Sequence, residues 1–351
     1  MNDSSDAGLV VLFGSGETSP AGQKIFDQTL QQLPKNPRVA LLETPAGFEL
    51  NSPQVVGRIA DFLQHRLQNY HPQTEIIPAR KRGTAFSPDS DQIVAPLLQA
   101  DLIFAGPGSP TYAVRQLWDS LAWHYLQARH RLGAALVFAS AAVIAIGAQV
   151  LPVYEIYKAG EEPHWKPGLN FFAPFGLSLT FIPHWNNNDG GAELDTSRCF
   201  IGQSRFENLM AMLPPGQTVV GIDEHTALLI NCAKQTCEVQ GLGTVTRLRD
   251  GMENVFASGT SFPLKEFGDC QCPGPGEALP DGIWQKAQEA AAKTGLEAGS
   301  EPPKAVQNLV EERQAARTAQ NWAIADELRD QIADLGWRVQ DTPDGPQVSK
   351  S

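Results

Sequence analysis

The sequence predicts an α/β protein: a doubly wound, mostly parallel sheet followed by a small C-terminal helical hairpin domain. Three observations predict it. Through the first half, short β-branched and apolar runs alternate with longer amphipathic segments, the pattern of a parallel sheet covered by helices on both faces. Three of those runs end in loops of small residues, Gly14-Ser-Gly-Glu17, Thr44-Pro-Ala-Gly47 and Gly106-Pro-Gly-Ser109. Past a Pro/Gly-rich stretch the pattern turns helical and closes on a turn signal.

Strands are expected at Leu9 to Gly14, Arg38 to Thr44, Thr74 to Ala79, Asp101 to Ala105 and Ala135 to Ala139. Between them, Gln23 to Gln32, Pro53 to Gln68, Asp91 to Gln99 and Thr111 to Ala128 read as helices. In an open α/β sheet the site lies beyond the carboxyl ends of the strands, where the three small-residue loops should converge. The second half changes character. Leu177 to Pro183, Thr218 to Ile222, Thr226 to Asn231 and Val245 to Leu248 read as strands with few helices between them, which fits an antiparallel extension or edge hairpin.

These segments define a domain over 1–267, a Pro/Gly-rich linker over 268–303 and a tail over 304–351. In the tail, Lys304 to Gln320 and Asn321 to Leu335 read as helices. Ile324, Leu328, Ile332 and Leu335 are expected on one face, with Gly336 ending the second helix. Trp337 to Val339, a turn at Thr342-Pro-Asp-Gly345 and Gln347-Val-Ser suggest a short hairpin.

The chain has 351 residues, long enough for one large domain and a smaller unit, and its net charge of -12 opposes general affinity for nucleic acid or anionic membrane. The start, Met1-Asn-Asp-Ser-Ser-Asp-Ala-Gly, lacks the basic and apolar parts of a signal peptide. No apolar run approaches the ~20 residues of a membrane span, so a cytoplasmic protein without membrane contact is expected. Cys199, Cys232, Cys237, Cys270 and Cys272 lack structural zinc spacing, and reduced thiols are the default. Cys270-Gln-Cys272 is a conceivable metal or redox pair, but two ligands in a linker are too few for a metal. No metal and no cofactor is expected.

Ala134 to Gly147 is an apolar strand-like run that meets Ser140 and turns into a helix-compatible stretch. A hydroxyl on such a turn is lifted off the sheet toward solvent, which makes Ser140 the candidate nucleophile. It requires a base and a group to orient that base. Another apolar run, Phe-Ile-Pro-His184-Trp, ends in the leading base, His184, with His164 and His225 as reserves. Glu155, flanked by apolar residues, is the preferred orienting acid, with Glu161, Glu162 and Asp223 as alternates. For an oxyanion, Gly108 or Ser109 can present one backbone amide and Ala141 another. Arg198 and Arg205 could bind a substrate carboxylate, although surface salt bridges explain them equally well. Gly14-Ser-Gly-Glu17 lacks the spacing of a phosphate loop and reads as a wall of the crevice.

Phe13-Gly-Ser-Gly-Glu17, Ala105-Gly-Pro-Gly-Ser-Pro-Thr-Tyr112, Ala139-Ser140-Ala141, Pro183-His184-Trp185 and Gly221-Ile-Asp-Glu-His-Thr-Ala-Leu228 occur in that order along the chain. In these residues it resembles the class I glutamine amidotransferase-like superfamily, with its flavodoxin-like sheet, and within it the dipeptidase E and cyanophycinase branch of serine peptidases. The resemblance implies a Ser, His and acidic triad, carried onto Ser140, His184 and, by its place after the nucleophile, Glu155. The amidotransferases use Cys with His-x-Glu; here Ser and Asn186 stand at those places, which disfavours glutaminase chemistry. The branch surrounds its nucleophile with glycines, Gly-x-Ser-Ala-Gly, whereas this chain has Phe138-Ala-Ser140-Ala-Ala142. Phe138 and Ala142 could therefore alter the turn or block the pocket.

Leu309-Val-Glu-Glu-Arg-Gln-Ala-Ala-Arg317, Asn321-Trp-Ala-Ile-Ala-Asp-Glu-Leu-Arg-Asp330 and Asp341-Thr-Pro-Asp-Gly-Pro346 resemble the C-terminal segment of cysteinyl-tRNA synthetases, which lies at the anticodon-binding end. No His-Ile-Gly-His or Lys-Met-Ser-Lys-Ser signature is present, so aminoacylation is not expected. Contact of the tail with tRNA stays open, against a segment that carries more acidic than basic residues. The leading function is a serine hydrolase, a peptidase or isopeptide-type amide hydrolase acting on a small peptide or amide. The alternative is a non-catalytic binding protein whose tail contacts tRNA or a protein partner. A homo-oligomer is allowed by either.

Overall fold

The computed structural model describes residues 7–299, 304–342 and 345–350. The chain divides into two compact units between Ala290 and Ala291. The first begins with the expected alternation: β1 (Val10–Phe13), α1 (Pro20–Leu30), β2 (Arg38–Leu42), α2 (Ser52–Arg66), β3 (Gln73–Ile77), α3 (Asp91–Val94), β4 (Leu102–Ala105), α4 (Pro110–Leu117), α5 (Leu121–Arg131) and β5 (Ala135–Ala139). Then come α6 (Ala141–Ala145), β6 (Gln149–Val150), α7 (Val153–Tyr157), β7 (Lys166–Pro167), β8 (Leu179–Ile182), α8 (Gln203–Ala211) and β9 (Thr218–Ile222). The unit continues with β10 (Thr226–Asn231), β11 (Thr236–Gly241), β12 (Thr244–Arg249), β13 (Met252–Ala257), β14 (Ser261–Pro263) and the start of α9 (Ile283–Gly299).

Eight strands form the main sheet in the order β14-β11-β10-β1-β5-β4-β2-β3. The five strands from β1 to β3 in that order are parallel, and β10, β11 and β14 add on antiparallel to one another and to β1. Period-two alternation divides their side chains between two cores. Val10, Leu12, Leu136 and Phe138 pack with Ala113 and Leu117 of α4 and Trp123 of α5. Val11, Phe13, Ala135 and Val137 pack on the other face with Phe26 of α1 and Ile59 and Leu63 of α2. Both faces being covered, β1 and β5 are apolar throughout, which is why they are legible as continuous runs.

The second half holds more than an extension. A separate four-stranded sheet, β13-β12-β9-β8, packs Ile182 and Val219 with Phe206 and Leu209 of α8, a helix that the sequence reading lacked. The single helix expected over Thr111 to Ala128 is two. Asp119 takes a positive φ of 53°, and the Ser120 side chain accepts the N–H of Trp123 to start α5. Asp91 to Gln99 becomes a short α3 and a 3-10 turn, because Pro96 cannot continue the helix. Of the stretch expected as a 268–303 linker, residues 268–282 hold no helix or strand and α9 takes up 283–299. Ile283 and Ala287 of α9 are core residues of the first unit.

In the second unit, α10 (Lys304–Thr318) and α11 (Trp322–Asp334) lead into the hairpin of β15 (Trp337–Thr342) and β16 (Gly345–Lys350). Pro343 and Asp344 of the expected turn lie outside the described residues. The buried face of α11 is Ala325, Leu328 and Ile332, whereas Ile324 and Leu335 are 47% and 52% exposed. Ile332 packs with Val306, Val310, Trp337 and Val339, and buried Arg313 makes a two-pronged ion pair with Asp341 at 2.7 and 2.9 Å. The Arg313 bond holds the Asp341 carboxyl below its ordinary range.

Candidate active site

Ser140 sits between β5 and α6 with φ 52° and ψ −115°. A non-glycine residue there carries strain of about 1–3 kcal/mol, sustained only where surrounding contacts fix it. Those contacts run on both sides: its N–H donates to the Phe13 carbonyl at 3.3 Å and its carbonyl accepts from Val143 at 3.0 Å. The turn forms with Phe138 and Ala142 in place. Phe138 is 2% exposed and packs edge-on against Phe171, so its bulk is absorbed by the core.

His184 follows β8, also at positive φ, and its N–H donates to the Gly14 carbonyl at 3.2 Å. The end of β1 thus braces both residues. The Ser140 Oγ and His184 Nε2 are 3.0 Å apart, and His184 Nδ1 is 2.8 Å from Glu224 Oε1. A carboxylate only accepts, so Nδ1 carries the proton and Nε2 presents its lone pair to the Ser140 hydroxyl. Glu224 is fixed in turn: the Asn187 amide donates to Oε1 at 3.1 Å, and the Glu224 N–H donates to Asn186 Oδ1 at 2.8 Å. The His184 hydrogen bond is the main cause that lowers the Glu224 pKa, against desolvation that raises it.

Glu155 is not on the imidazole. It faces Lys166 with Oε1 3.4 Å from Nζ, because α7 turns that carboxylate toward β7. Glu161 and Glu162 lie in the same polar loop as His164, which they contact, and Asp223 accepts both the N–H and the hydroxyl of Thr244 at 2.8 Å. Glu224 is not among the acids expected from the sequence, although it stands between the candidates Asp223 and His225. Its signal was present: it lies two residues past the end of β9 in Gly221-Ile-Asp-Glu-His225.

Of the expected oxyanion donors, Ser109 is committed. Its N–H donates to the Pro45 carbonyl at 3.0 Å and its hydroxyl caps α4. Gly108 has φ 147°, and a Cβ there would lie 2.0 Å from the Pro45 oxygen, so only glycine fits. Among the described residues the N–H groups of Gly108 and Ala141 donate to no acceptor. Arg198 lies with its guanidinium 3.9 Å over the Trp185 ring and Nη1 donating to the Trp185 carbonyl at 3.1 Å, while its buried Nε is unpartnered. Arg205 is exposed on α8.

Glu17 lies on the loop after β1, in the segment expected as a wall of the crevice. Burial raises its pKa, opposed by its own N–H and by the charges of His184 and His225. A carboxyl that binds its proton more tightly folded than unfolded favours folding below the ordinary value of 4.5, and that contribution is lost as pH rises through the raised value. Glu17→Gln should therefore raise the melting temperature at pH 7 and leave it unchanged near pH 3. An equal shift at both values would mean that the carboxyl's charge is not the cause.

Three comparisons bear on these units. Residues 300–348 match the family model described as the cysteinyl-tRNA ligase anticodon binding domain. The cysteine–tRNA ligase of Chlamydia caviae is 52% identical over 50 residues, 14% of this chain and 10% of that protein. The chain thus spans about a tenth of the length of the curated relatives it matches. The crystal structure of a peptidase from an acI-B1 Actinobacterium superposes with a TM-score of 0.59 at 21% identity, covering 74% of this chain and 98% of that one. The α/β unit has the fold of that peptidase. A putative peptidase E protein from Listeria monocytogenes gives a TM-score of 0.43 at 15% identity, covering 69% of this chain and 98% of that one. The tail is similar to the C-terminal domain of cysteine–tRNA ligases. Among the described residues no helix is long and apolar enough to cross a membrane, and no group of three or more His, Cys, Asp or Glu side chains is arranged to hold a metal.

Proposed function

We propose that the protein is a serine hydrolase of the peptidase or amide-hydrolase type, with Ser140 as nucleophile, His184 as base and Glu224 as the group that orients it. The observation that carries this reading is the unbroken hydrogen-bonded series Ser140–His184–Glu224 at 3.0 and 2.8 Å. His184 takes the Ser140 proton as Oγ attacks the carbonyl. The free N–H groups of Gly108 and Ala141 receive the oxyanion, and the imidazolium then protonates the leaving amine. Arg198 would meet a substrate carboxylate, and Glu17 an ammonium group, since a desolvated carboxyl gains most from a cation. The fold shared with a peptidase supports the class.

An alkyl fluorophosphonate applied to the full chain tests the reading. The expected result is one adduct on the Ser140 peptide, absent from Ser140→Ala and formed about 1,000-fold more slowly in His184→Ala. No adduct on the wild type, or one that persists in Ser140→Ala, would overturn it.

A second reading concerns the tail alone. Its match to an anticodon-binding family supports contact with tRNA. Binding of bulk tRNA by the full chain and by a chain ending at residue 299 tests it, and equal retention would remove a role for the tail.

A further inference from the structure

The row of strand ends continues past the Gly106–Ser109 loop. In the order β5-β4-β2, the end of β2 lies two strand spacings, about 10 Å, from the end of β5, which carries Ser140. The chain leaving β2 makes a 3-10 turn over Thr44–Ala46, whose Pro45 carbonyl accepts the Ser109 N–H, and then presents Phe48, 49% exposed. That ring has a fixed partner. Its centroid is 5.3 Å from that of Tyr112, in the first turn of α4, where the Ser109 side chain caps the helix by accepting the Tyr112 N–H at 3.2 Å. Tyr112 is buried and donates its hydroxyl to the Arg80 carbonyl at 2.9 Å. Helix side chains lean toward the N-terminus, and exposed Arg115, one turn further along α4, lays its guanidinium 5.2 Å from the centre of the same ring. Among the described residues no carboxylate pairs with Arg115.

We propose that Phe48, Tyr112 and Arg115 form a subsite for the leaving half of the substrate, a short peptide whose C-terminal residue is large and apolar. The proposal rests on the hydrolase reading of Ser140. The apolar side chain of that residue covers Phe48, and its free carboxylate pairs with Arg115. An exposed ring held by a buried one offers apolar area that loses little freedom when it is covered, and a guanidinium without a counter-charge supplies the polar group that fixes orientation. Position agrees with chemistry. About 10 Å from the nucleophile is a gap that one extended residue of about 3.5 Å and a large side chain can span. In a short peptide the free backbone carboxylate belongs to the last residue, so the bond cleaved is the one before it and an apolar amino acid leaves. A peptide that ran on past this residue would bring a neutral amide to Arg115 and lose the ion pair.

Hydrolysis of Asp-Phe, Asp-Gly and the C-terminal amide of Asp-Phe by the full chain, read by mass spectrometry beside fluorophosphonate labelling of the same protein, tests this. The aspartyl residue is held constant so that Arg198 meets the same carboxylate in all three. The expected kcat/KM for Asp-Phe exceeds that for Asp-Gly, and that for the amide, by at least about tenfold each. Phe48→Ala should bring the first ratio close to one and Arg115→Gln the second, with the other ratio standing in each case. Both side chains are exposed, so neither substitution empties the core. If Ser140 is labelled but Asp-Phe and Asp-Gly are cleaved equally, or neither is cleaved, or a ratio is unmoved by its own substitution, the subsite is wrong and the hydrolase stands. If Ser140 is not labelled, both fall.

Discussion

Glu224→Gln should lower the second-order rate of fluorophosphonate labelling about 100- to 10,000-fold, while Glu155→Gln stays within about threefold of wild type. Glutamine is nearly the same size, so the Asn187 and Asn186 contacts can hold it in place. Its amide, however, can donate to Nδ1. That stabilises the tautomer with the proton on Nε2, the atom that must accept from Ser140. The loss is one of proton placement, and Glu224→Gln should melt within a few degrees of wild type. Glu155 has no route to the imidazole, because its carboxylate faces Lys166. A large loss in Glu155→Gln with none in Glu224→Gln would reverse the assignment of the acid.

The contrast between these two carboxylates marks what a single sequence can and cannot carry. Ser140 and His184 were legible because each ends a continuous apolar run. A buried parallel strand and the residue at its end are local facts, and the rule that sites gather at carboxyl ends is topological. The partner of His184 is not local. It depends on β8 and β9 lying side by side in the second sheet, so that their ends bring Asn187 and Glu224 together. That pairing leaves no mark on the residues around Glu155, whose apolar neighbours serve the packing of α7. The commitment of the Ser109 amide to Pro45 is equally nonlocal, for it requires β2 and β4 as neighbours. In the tail, a one-residue rotation exchanges Ile324 for Ala325 on the buried face, and only the packing partners decide between them.

Gly14→Ala should be strongly disruptive to the first unit and to its site. A Cβ at that position would lie 2.1 Å from the Asp223 carbonyl oxygen and 2.6 Å from that of Ile222, and backbone cannot swing aside as a side chain can. Gly14 donates to the Thr226 carbonyl at 2.9 Å and accepts from the His184 N–H at 3.2 Å, so either strand end that yields carries part of the site with it. Moving the β9 end displaces Glu224; moving Gly14 displaces His184. Overpacking of this kind costs about 2 to 3 kcal/mol, which in a unit of this size lowers the melting temperature by about 3 to 5 °C. Labelling of Ser140 should fall at least tenfold more than that stability loss explains, since a displacement near 1 Å can cost about 100-fold. Gly57→Ala supplies the control. Nothing lies within 4 Å of a Cβ at Gly57 in the middle of α2, so the same methyl should raise stability by about 0.5 to 1 kcal/mol through helix propensity and leave labelling unchanged. Equal behaviour of the two variants would mean that the end of β1 does not hold the imidazole in place.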